Sequence, residues 1–301
     1  MADQFDLGPW QGVRSLSDKW YNNLQEIGKG GNSVVFLVIL NDGPNAGTPY
    51  ALKVFRRLSK PERKSSFFGE IEFLQDHSHP AIMTSVDYGD FGKNKDFPFL
   101  VSSYYGRTLK DAIKEGKLSC QEKVLISLQL ISAITFLDSI DIVHRDIKPS
   151  NIFINGRTCV LGDFGLIKQL KNQTADDRDI IKTSPGGGMA FHYRTPDLVD
   201  YAKGLSQLTT KTDIYQLGLV LAELFTGVNP QEEAASILDK IILKEIGTID
   251  YACGGRIRGT ICSMLQEDPN QRATHQEAYQ SMQKGLRKII EGMARTSDKP
   301  F

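Results

Sequence analysis

From Tyr21 to Ser102 apolar and polar residues alternate in short runs, whereas after Thr108 the apolar positions recur at helical spacing. The first part predicts strands over 24–27, 36–40, 50–55, 81–88 and 97–102, the later ones containing several β-branched or aromatic residues. One helix interrupts them: Pro61 suits a first helical turn, and Phe67, Ile71 and Leu74 follow at helical spacing up to Asp76. His77, His79 and Pro80 close it; two histidines so placed would suit a metal only with a third ligand, and none is near. In the second part 109–115 predicts a short helix, and Ser119 caps a long apolar one over 121–139. Residues 166–197 form a polar segment, with Pro185-Gly186-Gly187-Gly188 inside it, whose length marks it as functional or disordered. From Ser281 the tail is basic and amphipathic to Met293, then polar; Lys284, Arg287 and Lys288 suit an acidic surface or, as preferred here, the outer face of a packed last helix. Before the first strand, Phe5, Trp10, Leu16 and Trp20 predict a flank that packs rather than one that docks a partner.

Composition changes this picture little. The 36 basic residues match 36 acidic ones in a chain of 301, so no net charge points to nucleic acid or an anionic membrane. Cys120, Cys159, Cys253 and Cys262 form no Cys-x-x-Cys pair and read as small core residues in a reducing compartment. The N-terminus lacks a basic region followed by an apolar run, and no stretch approaches the roughly 18–20 apolar residues of a membrane span. A soluble, cytoplasmic protein is the expectation.

The chemistry concentrates in residues 142–165, IVHRDIKPSNIFINGRTCVLGDFG. Two short strands, 151–154 and 159–161, flank a turn at Asn155-Gly156, and a tight hairpin brings its two ends together. Asp146, Lys148 and Asn151 stand before it and Asp163 after it. Asn151 and Asp163 are oxygen ligands suited to Mg²⁺, an ammonium suits phosphate, and Asp146 can take a proton from an attacking hydroxyl. Those are the parts of phosphoryl transfer, which is mostly positioning and charge neutralisation. Upstream, Gly28-Lys29-Gly30-Gly31-Asn32-Ser33 lies between two strands, either as a plain hairpin turn or as a loop whose amides drape over phosphates. The β-branched run after it argues against the helix that a Rossmann motif needs.

His144-Arg145-Asp146, Lys148 and Asn151, followed after one strand pair by Asp163-Phe164-Gly165, resemble the catalytic and metal-binding loops of the eukaryotic-type (Hanks-type) protein kinases, Ser/Thr branch. The resemblance extends over residues 21–290. It implies an α+β, bilobal fold: flank 1–20, a small mainly β N-lobe over 21–102, a hinge at 103–106, a larger mainly α C-lobe over 107–290, and a tail at 291–301. It implies ATP in the cleft between the lobes, with Mg²⁺ (Mn²⁺ as a substitute), and protein substrates, with no nucleic acid or membrane partner; it leaves the oligomeric state open.

Residue by residue, the resemblance makes Asp146 the proton acceptor and Lys148 the charge neutraliser on the γ-phosphoryl. Lys53, a charge in an apolar alternation that alone would read as a solvated strand face, matches the α/β-phosphate lysine, and Glu70 its helix partner, with Glu72 the competitor. ATP would contact Ile27, Gly28, Lys29, Gly30, Gly31, Asn32, Ser33, Val35, Ala51, Lys53, Ser103, Tyr105 and Phe153, with Ser102 as gatekeeper. Ser33 stands where a third glycine is common. Thr174, Thr183 and Ser184 are candidate phosphosites on the activation segment, where Arg145 would meet a phosphate. That segment ends in Tyr193-Arg194-Thr195-Pro196-Asp197 instead of Ala-Pro-Glu, with Arg272 the partner of Asp197, and Asp213 would bind catalytic-loop backbone. Gly188-Met189 replaces the usual Gly-Thr, which leaves acceptor preference open. A small-molecule phosphotransferase usually lacks the activation segment and the Asp213 and Arg272 motifs. A pseudokinase scaffold would have lost Lys53, Asp146 or Asp163, and all three are present.

Overall fold

The structure, a computed structural model, describes residues 10–30, 33–55, 61–91, 97–172 and 191–297. They fall into two compact units, one running to Ser78 and including Met83–Tyr105, the other comprising His79–Ile82 and the chain from Gly106. The first is mainly β and the second mainly helical, which is the α+β class.

In the first unit β1 (Gly12–Arg14), β2 (Trp20–Lys29), β3 (Ser33–Leu40), β4 (Pro49–Phe55), β5 (Ser85–Phe91) and β6 (Phe97–Ser103) form one antiparallel sheet in the order β1-β2-β3-β4-β6-β5. Period-two alternation sorts its residues. Val34, Phe36, Val38, Leu52, Val54, Phe99 and Val101 point to one face and form the core. Val35, Ala51 and Lys53 share the other face and are half-buried. The described part of the flank, from Trp10, belongs to this sheet, Phe5 lying outside the described residues: Trp10 packs edge-on against Phe36 with centroids 4.9 Å apart, and Asp87 accepts from Ser17 Oγ and Tyr21 Oη. Burial, reinforced by that carboxylate, holds the Tyr21 phenol well above its usual range. Helix α1 (Pro61–Asp76) puts Phe67, Glu70, Ile71 and Leu74 on one buried stripe at helical spacing.

The second unit holds α2 (Leu109–Glu115), α3 (Cys120–Ser139), α4 (Pro196–Lys203), α5 (Lys211–Thr226), α6 (Gly254–Met264) and α7 (His275–Ser297). Thr108 with Asp111, and Ser119 with Glu122, form capping boxes that start α2 and α3. Every residue of α5 from Thr212 to Ala222 is buried, so this helix is surrounded on all sides. Beside the helices lie β7 (Arg107–Thr108), the hairpin of β9 (Ile152–Asn155) and β10 (Thr158–Leu161), and the pair β8 (Ile142–Val143) with β11 (Lys168–Gln169).

Several boundaries differ from the sequence reading. Asn155 pairs with Thr158, so the turn is Gly156-Arg157; positive φ falls on Gly156 and not Arg157, a type II′ pattern. Residues 81–84 are not strand: Ile82 makes an isolated bridge to Leu161, and Ala81 accepts from the Leu161 amide, which ties Ala81 and Ile82 to the helical unit. The last helix starts at His275, where Thr274 and Glu277 form a capping box, and runs beyond residue 290. By length and composition α3 could cross a membrane, contrary to expectation, but its Val124, Leu130, Ile131, Ala133 and Leu137 are core residues.

Arg272 ties the helical unit together. Its fully buried guanidinium donates to the carbonyls of Lys211, Gln266 and Glu267 and lies 2.8 Å from Asp197 Oδ1, while Thr212 Oγ1 donates to Asp197 Oδ2. Breaking a buried pair strands the remaining charge, so Arg272→Met should lower stability by about 3–5 kcal/mol. Urea unfolding of both proteins measures this, and a loss below about 1 kcal/mol, the scale of a surface pair, would contradict it.

Candidate functional site

The loop after β8 is fixed from below by α5. Asp213, in that helix's first turn, accepts from the backbone amides of His144 (2.7 Å) and Arg145 (3.1 Å). Arg145 takes φ 68° and Asp163 φ 61°, left-handed conformations that cost a non-glycine residue about 1–3 kcal/mol and persist only where surroundings enforce them. The neutral His144 ring, its pKa lowered by burial to about 4, accepts the Asp146 amide at Nδ1 (3.3 Å), which leaves Nε2 to donate to the Gly162 carbonyl (3.2 Å). Phe164 packs against the same ring at 4.8 Å. One imidazole thus joins the loop that carries Asp146 to the one that carries Asp163.

On this frame three of the expected side chains converge. Lys148 Nζ lies 3.0 and 2.8 Å from the Asp146 carboxylate oxygens. Asn151 Nδ2 donates to the Asp146 carbonyl (2.9 Å) and to its Oδ2 (2.8 Å). The Gly162 amide closes the hairpin base on the Asn151 carbonyl at 2.9 Å, which brings Asp163 to the same end. Burial raises the Asp146 pKa to about 6; Lys148 opposes that shift and the Asp163 charge adds to it. Burial likewise raises Asp213 to about 7 against its two amide bonds.

The donor set suits a hard divalent cation. With Nδ2 committed to Asp146, Asn151 keeps its carbonyl oxygen for a ligand, and Asp163 supplies a half-buried carboxylate close enough to Asp146 to repel it. A cation between oxygens relieves that repulsion.

In the β unit Lys53 Nζ stands 2.9 Å from both Glu70 oxygens. Glu70 is buried and Glu72 exposed, which decides between them. Ile27, Gly28 and Lys29 end β2, Gly30 donates to the Ser33 carbonyl at 2.8 Å, and Val35 lies opposite both Gly28 and Lys53. A Cβ at Gly28 or Gly30 would meet nothing closer than 3.7 Å, and neither has positive φ. Internal packing therefore does not demand glycine here; bare backbone leaves room for something from outside. Ala51 lies opposite Ser102, Ser103 ends β6, and Tyr105 is half-buried beside Ser103 and Thr84, its phenol raised by burial. In the helical unit, Phe153 on β9 is half-buried.

Gly31, Asn32, Thr174, Thr183 and Ser184 lie outside the described residues. Arg145 turns Nε and Nη2 to the carbonyls of Leu166 (2.5 Å) and Ile167 (3.5 Å). His77 and His79 do not combine: His77 Nδ1 meets the Phe73 carbonyl, while His79 Nε2 meets Ser132 Oγ. The sequence reading missed Gln216, a buried amide bonded to the Arg145 carbonyl and the Ile147 amide. Its signal was one polar residue in the apolar run of α5.

The profile of the protein kinase domain family matches residues 21–282. The serine/threonine-protein kinase PrkC of Bacillus subtilis is 34% identical over 235 residues, 75% of this chain and 33% of that protein. A serine/threonine-protein kinase of Encephalitozoon cuniculi is 28% identical over 254 residues, 83% of this chain and 41% of that protein. The chain thus spans about a third to two fifths of these relatives.

The Asp146 environment yields a titration test. Lys148 favours the ionised carboxylate, so Lys148→Met should raise the Asp146 pKa further above about 6. Carboxyl ¹³C shifts followed against pH report it; a wild-type midpoint near the unperturbed value of about 4, or a fall in the variant, would refute the arrangement.

Proposed function

Because the chain belongs to the protein kinase family, we propose that it transfers the γ-phosphoryl group of ATP to serine and threonine hydroxyls of protein substrates. The convergence of Lys148 and Asn151 on the buried Asp146 carboxylate carries this reading. Oδ2 has two partners, Lys148 and Asn151, and Oδ1 has Lys148 alone. Oδ1 therefore takes the acceptor hydroxyl's proton as the O–Pγ bond forms and the bond from Pγ to the β,γ-bridging oxygen breaks, releasing ADP. Lys148, in contact with the same carboxylate, sits where it can offset charge on the transferring group. Asn151 Oδ1 and the Asp163 carboxylate would hold Mg²⁺, which when bound neutralises phosphate charge. Lys53, braced by Glu70, holds the α- and β-phosphates, with the bare backbone at Gly28 and Gly30 against them. Lys148 two residues after the base, and the relatives above, support serine and threonine as acceptors. The protein also phosphorylates its own activation segment at Thr174, Thr183 or Ser184.

With γ-labelled ATP and Mg²⁺ the wild type should label itself or a basic protein acceptor. Asp146→Asn should bind ATP and lose about a hundredfold or more in turnover. Since the base works only when ionised, turnover should fall as pH drops below about 6. Equal turnover by Asp146→Asn would remove the assigned base. ATP binding without transfer to any protein would move the assignment to a small-molecule acceptor or a scaffold, and labelled peptides that exclude 166–190 would end the self-phosphorylation claim.

A further inference from the structure

Gln216 lies inside a helix buried all round, and its own exposure is 0%. A primary amide so placed destabilises the fold unless it finds partners. It finds three. Nε2 donates to the Arg145 carbonyl (2.9 Å) and the Tyr193 carbonyl (2.9 Å), and Oε1 accepts from the Ile147 amide (3.0 Å). Arg145 and Ile147 flank Asp146. Asp213, one turn earlier on α5, already holds the amides of His144 and Arg145. Two side chains on one helix face therefore grip the backbone on both sides of the base. The Asp146 peptide itself is closed by His144 at its amide and Asn151 at its carbonyl. Left-handed Arg145 is held in place by these constraints.

The third bond leads elsewhere. Tyr193 belongs to the stretch just before α4, and that stretch is anchored to the same region by several polar contacts. Tyr193 Oη donates to Glu223, Asn229 Nδ2 to the His192 carbonyl (2.7 Å), and the Arg194 amide to Gln231 Oε1 (3.1 Å). Of these anchors, Gln216 is the side chain whose amide group also reaches the loop of Asp146.

We infer that Gln216 is a positioning residue for phosphoryl transfer, fixing the backbone either side of Asp146 and tying it to Tyr193. Order in residues 191–195 and the placement of the base then rise and fall together. This rests on the reading of Asp146 as proton acceptor. A residue that merely filled space could be replaced by any side chain of the same shape. Gln216 could not, because its replacement leaves the Ile147 amide and the Arg145 and Tyr193 carbonyls buried without this partner.

Gln216→Met keeps length and volume and removes all three bonds. It should lower kcat by about tenfold to a hundredfold, the scale of a misplaced reacting group, with KM for ATP within about twofold. Hydrogen exchange should quicken in 144–147 and 193–195 together and stay unchanged in the β unit. Should that variant fail to fold, Gln216→Glu, which keeps an acceptor for the Ile147 amide but replaces the two amide donors with at most one acid O–H, should loosen 193–195 more than Ile147. Wild-type kcat with unaltered exchange in both segments would overturn the inference. Wild type and Asp146→Asn run alongside: an inactive wild type would count against the transfer reading, while exchange still judges the role of Gln216.

Discussion

The helical unit depends on one constraint, that polar groups placed inside a buried helix must be satisfied by something outside it. Helix α5 presents Thr212, Asp213 and Gln216 amid apolar neighbours, and each finds a partner outside the helix. Thr212 meets Asp197 at the start of α4; Asp213 and Gln216 meet the loop of Asp146. The loop has little regular structure of its own, so side chains of α5 set its path. A rigid, buried helix is a suitable template, since its side chains sit in fixed rotamers and the groups they hold inherit that precision.

The same rule acts in the β unit with a different result. Glu70 occupies the buried stripe of α1, where an unpaired carboxylate would be costly, and Lys53 supplies the counter-charge at 2.9 Å to both oxygens. Glu72, two positions on, faces solvent and needs no partner. Helical geometry, more than the identity of the acid, selected between them.

Much of this was legible in the sequence where local pattern and tertiary role agree. The strand alternation, the Ser119 cap and the bounds of α1 and α2 follow from propensity and spacing. The cluster of Asp146, Lys148 and Asn151 follows from short separation along the chain and a hairpin that returns Asp163 to the same end. What escaped was non-local. Ala81 and Ile82 read as strand because a short apolar run cannot distinguish pairing in a sheet from burial against Leu161. Asn155-Gly156 promised a turn, but Asn155 was drawn into the ladder and the turn moved one residue on. Gln216 meets Ile147 across 69 positions, and no local periodicity announces such a bond.

Burial and polarity are balanced differently at the two charged clusters, and that difference fits their chemistry. Lys53 and Glu70 share their charges symmetrically, each Glu70 oxygen at 2.9 Å, which suits a pair whose task is to hold position. Around Asp146 the balance is uneven. Burial pushes the carboxyl up to about 6, Lys148 and Asn151 pull it back, and Oδ2 carries two partners where Oδ1 carries one. A base whose pKa lies near the working pH is ionised often enough to act and basic enough to take a proton. Without burial the carboxylate would be a weaker base, and without Lys148 and Asn151 it would more often be protonated. In the proposed transfer reaction this unequal partnering would favour Oδ1, because the oxygen with fewer donors keeps a lone pair for an incoming hydroxyl.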